Sequence, residues 1–465
     1  MTTTTTPALW DHQRRAVEFA VERKAALWHM GLGTGKSRCA ISLAHHVGAR
    51  RTLILCPLSV CEAWAEQHAR FGDDDTEVVI LSRCKGTVRR KQDAATQALA
   101  RATAHARPLV VVVNYESARN QPLAAWLEAQ RFDLLVLDEV HRIKSPAGTT
   151  SRWVSRLAKT CARRVGLTGT PMPHSPLDVY AQFRSLDPGI FGWSFVKFRR
   201  QYAVMGGWGG KQVTGFRNLD HLRERMARVT YQVDRSVLDL PEAIHERRVV
   251  DLSAKARRIY RDLDTRFAAE VQGGEITASN ALVKLLRLQQ LTSGVATIDD
   301  DPPRVEQIDT AKEDALVDLF EDLPSDEPVI VFGRFLGDMG AVHRAADRTG
   351  RESLELSGAR RELQAWQAGA APILAVQIQA GGVGIDLTRA AYCVYLSTGF
   401  SLGDYEQSLA RCHRPGQKRS VAYYHIVARD TVDEQVYHAL RERKNVVEAI
   451  LDGIHERRRT ADLGE

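Results

Sequence analysis

Cysteine is scarce in this chain, and no spacing pairs it. The seven Cys among 465 residues stand at 39, 56, 61, 84, 161, 393 and 412, and none forms a Cys-x-x-Cys. That excludes a disulfide scaffold, and Cys56 and Cys61 have no second pair with which to build a zinc site. Reduced thiols, as in a cytoplasmic protein, are expected. Long apolar runs are missing too: none approaches the ~18 residues of a membrane span. The opening MTTTTTPALW has neither a basic segment nor an apolar core, so no secretory signal is expected there. Repeats and long charged tails are also lacking. An excess of 64 basic over 57 acidic residues, +7 in all, is too small to identify a polyanionic partner by itself. At about 100–200 residues per domain, a chain of this length predicts two to four domains.

What is present are short apolar runs, each followed by turn residues and a helical stretch. They fall at 52–56, 109–113, 133–137, 329–332, 373–376 and 392–396. Continuous Val, Ile and Leu, rather than alternation, predicts strands buried on both faces. Separated by helical segments, they predict βαβ units and parallel sheets. Two clusters, within about 25–170 and 325–430, predict two α/β domains. The stretch 175–310 reads as helical, interrupted at MGGWGG (205–210).

Three patterns carry chemistry. Gly31-Leu32-Gly33-Thr34-Gly35-Lys36-Ser37 lies between an apolar stretch and a helical one. Glycines let backbone N–H groups curl around phosphate, Lys36 reaches the β/γ-phosphates, and the Ser37 hydroxyl ligates Mg²⁺. Asp138-Glu139-Val140-His141 follows the run 133–137 directly. There Asp138 would hold Mg²⁺ through water and Glu139 would polarise the attacking water. In the second cluster Gln407, Arg411 and Arg414 have the i, i+4, i+7 spacing of one helical face. Guanidinium groups there suit phosphoryl oxygens in a transition state. Together these predict an NTPase with Mg²⁺ held beside the phosphates.

In order along residues 8–450 the sequence resembles the Swi/Snf-type ATPases of helicase superfamily two. Leu9–Gln13 is similar to the Q motif, Gly31–Ser37 to motif I, Cys56–Val60 with Trp64 to motif Ia, and Val113–Glu116 to motif Ib. Asp138–His141 resembles the DExH box and Leu167-Thr168-Gly169-Thr170-Pro171 motif III. Val329–Phe335 resembles motif IV, Ala380–Leu387 motif V, and Gln407–Gln417 motif VI. The resemblance implies two RecA-like lobes with ATP in the cleft between them and double-stranded DNA running across both. It implies that Gln13 reads adenine, and that Gly33, Thr34, Gly35, Lys36, Ser37, Gly384 and Asp386 hold nucleotide. It makes Asp138, Glu139 and Ser37 the metal residues, and Arg414, with Arg411 and Gln407, the arginine-finger group. Ser59, Tyr115, Lys144, Ser357 and Gly358 correspond to positions that touch the DNA backbone. Such contacts fix register without reading sequence.

The resemblance also sets boundaries. Residues 1–7 are expected to be a disordered tail, and 8–240 a first lobe with a helical protrusion at about 175–235. Residues 241–455 are expected to form a second lobe with a protrusion at about 250–300 and a C-terminal brace helix, leaving 456–465 as a tail. Two departures stand out: an added Thr-Gly in motif I, and Gln377-Ile378-Gln379 where the family has Ser-Thr-Lys. Trp193 and Trp208, with Arg199, Arg200 and Lys211, are expected to belong to a packed protrusion rather than a DNA surface. The compact length is that of bacterial and phage forms, which implies the cytoplasm. The function expected is an ATP-driven translocase on duplex DNA. The alternatives are a strand-separating or annealing helicase and the motor subunit of a restriction or defence system.

Overall fold

The computed structural model describes residues 8–173, 175–206, 212–272, 278–298, 304–379 and 385–442. Gly384, Trp208, Lys211 and both expected tails lie outside the described residues. The chain divides into two compact units, Met1–Asp239 and Leu240–Glu465.

In the first unit, strands β1 (Ala25–Met30), β2 (Arg51–Cys56), β3 (Glu77–Ile80), β4 (Leu109–Asn114), β5 (Leu134–Asp138) and β6 (Arg163–Thr168) belong to one sheet. An antiparallel hairpin, β7 (Ala203–Gly206) and β8 (Gln212–Phe216), stands apart, and β9 (Thr230–Val233) returns to the sheet edge. The order is β3-β4-β2-β5-β6-β1-β9, parallel throughout. The central strands are buried on both faces, as runs such as LVVVV require: every residue of β4 and β5 is buried. Helices from both sides complete a core that includes Trp153, Tyr180, Phe183 and Phe198.

The second unit holds β10 (Ala243–Val250), the hairpin β11 (Val295–Ile298) and β12 (Arg304–Gln307), and β13 (Val329–Gly333). It continues with β14 (Ser353–Leu356), β15 (Ile373–Gln377), β16 (Tyr392–Tyr395) and β17 (Val421–Ala428). Its sheet runs β10-β17-β16-β13-β15-β14, again parallel. A buried aromatic stack lies on it, with Tyr395 and His425 rings 4.8 Å apart. Burial pushes the His425 imidazole down to about 3, so it stays neutral.

The stretch 175–310 is not purely helical. It contributes the edge strands β9 and β10 and two hairpins. An edge strand keeps one side toward solvent, so polar sequences such as TYQV and AIHERRVV satisfy it and give no continuous apolar signal.

Candidate active site

Three neighbouring strands position the site of the first unit. β5, β6 and β1 are adjacent, so the loops that follow them emerge side by side at the sheet's carboxyl end. Those loops are Asp138–His141, Leu167–Pro171 and Gly31–Ser37.

The loop after β1 turns through Gly33 and Gly35, at φ 84° and 88°, and Gly35 caps the helix Lys36–His46. Left-handed backbone suits glycine, and here space demands it as well. A Cβ on Gly35 would lie 2.2 Å from Gln13 Nε2. The helix N-terminus opens into the loop and favours an anion. The Thr34 hydroxyl donates to Gly31 O at 2.7 Å, and Lys36 Nζ donates to Met30 O (2.9 Å) and Gly31 O (3.2 Å). The ammonium therefore lies folded across the mouth of the loop. Ser37 is half-buried in the first helical turn.

Gln13 is 1% exposed and props the loop from beneath. Its Nε2 donates to Thr34 O at 3.0 Å and its Oε1 accepts from the Trp10 N–H at 3.1 Å. His12 Nε2 lies 2.9 Å from the same Thr34 oxygen. In this geometry Gln13 holds phosphate-loop backbone, a role that its place in the motif did not suggest.

At the end of β5, Asp138 is buried. One carboxylate oxygen accepts from the Trp64 indole N–H at 2.9 Å and the other from the Glu139 N–H at 3.0 Å. Burial and then Glu139 push the Asp138 carboxyl up to about 7, partly opposed by Trp64 and Lys36. Glu139 takes φ 48°, ψ 53°, a left-handed conformation for a non-glycine residue. Such strain, about 1–3 kcal/mol, persists where surrounding structure enforces it, commonly at functional sites. Glu139 Oε2 is 3.3 Å from His141 Nδ1, which lies 3.0 Å from the Thr168 hydroxyl. Thr168 Oγ1 also accepts from the Thr170 N–H at 3.0 Å. The acidic box is thus wired to the loop after β6.

These groups suit Mg²⁺. Asp138 and Glu139 are both buried, and burial together with the charge of Glu139 disfavours the ionised Asp138, a cost that a divalent cation would offset. Among the described residues no cluster of three or more His, Cys, Asp or Glu could cage a metal alone. Mg²⁺ commonly keeps several waters and joins one or two protein oxygens to phosphates, oxygens that Ser37 and Asp138 could supply.

In the second unit Gln407 and Arg411 lie on the helix Leu402–Cys412, but Arg414 does not share their face. The helix stops because Pro415 pushes the residue before it toward extended backbone. Arg414 instead donates from Nη1 to Ile385 O at 3.2 Å, and Arg411 O accepts from the Leu387 N–H at 3.2 Å. Asp386 is exposed, and its Oδ1 accepts from the Thr388 N–H (2.9 Å) and hydroxyl (2.7 Å), holding a turn. Gln417 Nε2 donates to Thr388 O (3.2 Å) and Ala390 O (2.9 Å), binding the two segments together from inside.

The expected DNA contacts divide. Ser59 and Gly358 are exposed and Lys144 is half-exposed. Tyr115 is not a surface contact: it is 1% exposed and its hydroxyl donates to Asp138 O at 2.8 Å. Ser357 is buried too, its Oγ accepting from the Ala359 (3.1 Å) and Arg360 (3.2 Å) N–H groups. Both support turns from within. Gln377, where the family has a different residue, accepts from the Gly358 N–H at 3.4 Å and donates to Arg334 O at 3.4 Å. All seven cysteines are free, although Cys56 and Cys61 sulfurs lie 3.5 Å apart.

The chain is similar to known proteins along most of its length. It is 27% identical to protein p41 of Acyrthosiphon pisum secondary endosymbiont phage 1 over 460 residues, covering 92% of this chain and 94% of that one. It is 24% identical to the human DNA annealing helicase and endonuclease ZRANB3, covering 96% of this chain but 40% of that protein. A Sulfolobus solfataricus SWI2/SNF2 ATPase core solved in complex with dsDNA is 17% identical, with 96% of this chain and 93% of that chain covered and a TM-score of 0.43. The family model described as SNF2-related domain matches residues 12–294. With more than half of the chain inside that match, this chain belongs to the SNF2-related family, the Swi/Snf-type ATPases of helicase superfamily two.

Proposed function

We propose that this chain is an ATP-hydrolysing motor that binds duplex DNA through its phosphate backbone and moves along it, remodelling DNA or protein–DNA complexes. The observation that carries this reading is the buried acidic pair beside the phosphate loop, with Glu139 held in a strained backbone and Lys36 close enough to act on Asp138.

On this reading the N–H groups at the start of helix Lys36–His46 bind the phosphates, and Lys36 leaves its carbonyl partners to follow them. Ser37 and Asp138 would hold Mg²⁺ when it binds with ATP, and the ion would supply positive charge to the transferring phosphoryl group. The indole N–H of Trp64 keeps Asp138 in place, and Glu139 aligns the attacking water and takes its proton. The link from Glu139 through His141 to Thr168 lets the state of the nucleotide be felt in the Leu167–Pro171 loop. Arg414, assisted by Arg411 and Gln407, supplies positive charge to the transition state, a contribution worth roughly 10³–10⁵ in rate. Ser59, Lys144 and Gly358 are the surface positions proposed to touch the DNA backbone.

The test is ATP turnover with no DNA, with single strands, with duplex and with forks. Turnover that depends on Mg²⁺ and rises with duplex supports the reading. Turnover indifferent to every DNA rejects it.

A further inference from the structure

Hairpin β7–β8 is the least explained element of the first unit. A two-stranded ribbon is marginal on its own in water, so its base must be fixed, and it is. Tyr202 (1% exposed) and Ala203 (2%) are buried, the Tyr202 hydroxyl lies 2.9 Å from His221 Nδ1, and Asn218 Nδ2 donates to Gln201 O at 2.8 Å. The Arg217 N–H donates to Tyr202 O at 2.9 Å. Beyond that clamp the strands expose large apolar side chains: Val204 at 42%, Val213 at 41% and Phe216 at 38%. Phe216 pairs with Ala203 and Val204 with Gly215, successive pairs that face opposite sides, so the ribbon exposes apolar side chains on both faces.

Charge narrows what covers them. From Pro188 to Leu219 the chain has no Asp or Glu, while Lys197, Arg199, Arg200 and Arg217 are all basic. None of these four forms an ion pair among the described residues. The carboxylates of the following helix are already engaged, Asp220 with Arg223 (2.8 Å) and Glu224 with Arg228 (3.7 Å). The segment is therefore cationic, apolar and free of acids. The aromatic core beneath it, Tyr180, Phe191, Phe195 and Phe198, is packed ring against ring and leaves the ribbon as the outward element.

Duplex DNA offers such a surface its phosphates and keeps its bases stacked inside, so exposed Val and Phe side chains would gain little. Unpaired DNA offers both phosphates and base faces; stacking of a base on an aromatic side chain such as Phe216 is worth about 1–3 kcal/mol, and Val204 and Val213 add apolar contact. We propose that the hairpin β7–β8 is a binding surface for single-stranded DNA, which would let the motor recognise a junction where duplex gives way to an unpaired strand. This rests on the DNA-binding reading above. It assigns the hairpin a separate partner from the duplex-contacting positions.

The test is fluorescence anisotropy with the full chain, without nucleotide, on a labelled oligothymidylate and on a blunt duplex of equal length. The variant V204T/V213T/F216T removes apolar surface while keeping β-branched residues suited to strands. The expected result is single-strand binding weakened by about tenfold or more, with duplex binding unchanged and F216Y close to wild type. Equal weakening on both DNAs with an unchanged melting temperature overturns the proposal, as does no weakening on the single strand. If the triple variant melts early, V213T alone decides: selective single-strand loss supports the proposal, and its absence overturns it. A wild-type chain that binds duplex but not oligothymidylate overturns this inference only. One that binds no duplex overturns the motor reading.

Discussion

Replacing Trp64 by Phe isolates the hydrogen bond on which the acidic box depends. The indole N–H is 2.9 Å from Asp138 Oδ2, and both groups are buried. A hydrogen bond to a charged group contributes about 1.5–3 kcal/mol, and one pKa unit corresponds to about 1.36 kcal/mol. Loss of the donor should therefore raise the Asp138 carboxyl by a further one to two units or so, from about 7. The sign follows from proton counts. Because the folded-state value lies above the ordinary 3.8, the folded chain binds the extra proton between those limits, and stability falls as pH rises through the window. In the variant the fall continues further into the alkaline range. The stability difference between wild type and Trp64→Phe should then grow by about 1.5–3 kcal/mol between roughly pH 6 and pH 9. The void left by the smaller ring adds a term of up to about 3 kcal/mol, but that term is independent of pH and cancels in the comparison. Urea denaturation of the full chain at both pH values measures it, with Asp138→Asn as the background in which the pH dependence should vanish. A difference that is the same at both pH values would refute the reasoning.

Other expectations concern single groups. Arg414→Ala and Glu139→Gln should each lower DNA-stimulated ATP hydrolysis by about 10³-fold or more, while a fluorescent nucleotide still binds; wild-type turnover in either would remove that residue from the proposed mechanism. Gly35→Ala must place a methyl 2.2 Å from Gln13 Nε2 at φ 88°. Left-handed backbone adds about 1–2 kcal/mol, so calorimetry should show affinity for an ATP analogue down by about tenfold or more. Lys312 and Asp433 form a buried pair at 2.6 Å in the second unit. Lys312→Met should destabilise that unit by about 3–5 kcal/mol, read as a lower melting temperature, and adding Asp433→Leu should recover part of the loss.

Local patterns made much of the fold legible. The Val- and Leu-rich runs became the central strands β2, β4, β5, β13, β15 and β16 because strands buried on both faces tolerate little else. The polar edge strands β9 and β10 could not be read, since solvent on one side removes the signal. Motif order located Lys36, Asp138 and Glu139 but not the direction in which neighbouring side chains point. Tyr115 and Ser357 occupy positions with a surface role in the resembling family, yet here their hydroxyls serve Asp138 O and a turn. Helical spacing grouped Arg414 with Gln407 and Arg411, and a single proline, Pro415, cut that face short. The part played by Gln13 under the phosphate loop depends on a contact 21 residues away in sequence, which no local pattern encodes.

The central claim is motion on duplex DNA driven by ATP, and displacement of a third strand from a triplex tests it most directly. A motor that tracks the backbone should strip the third strand in the presence of ATP and Mg²⁺ and leave a long blunt duplex paired. Opening that duplex would add about 1.4 kcal/mol per base-pair step. Glu139→Gln should bind the same substrate and displace nothing. Triplexes left intact by wild type under conditions where duplex stimulates its ATP turnover would contradict the account.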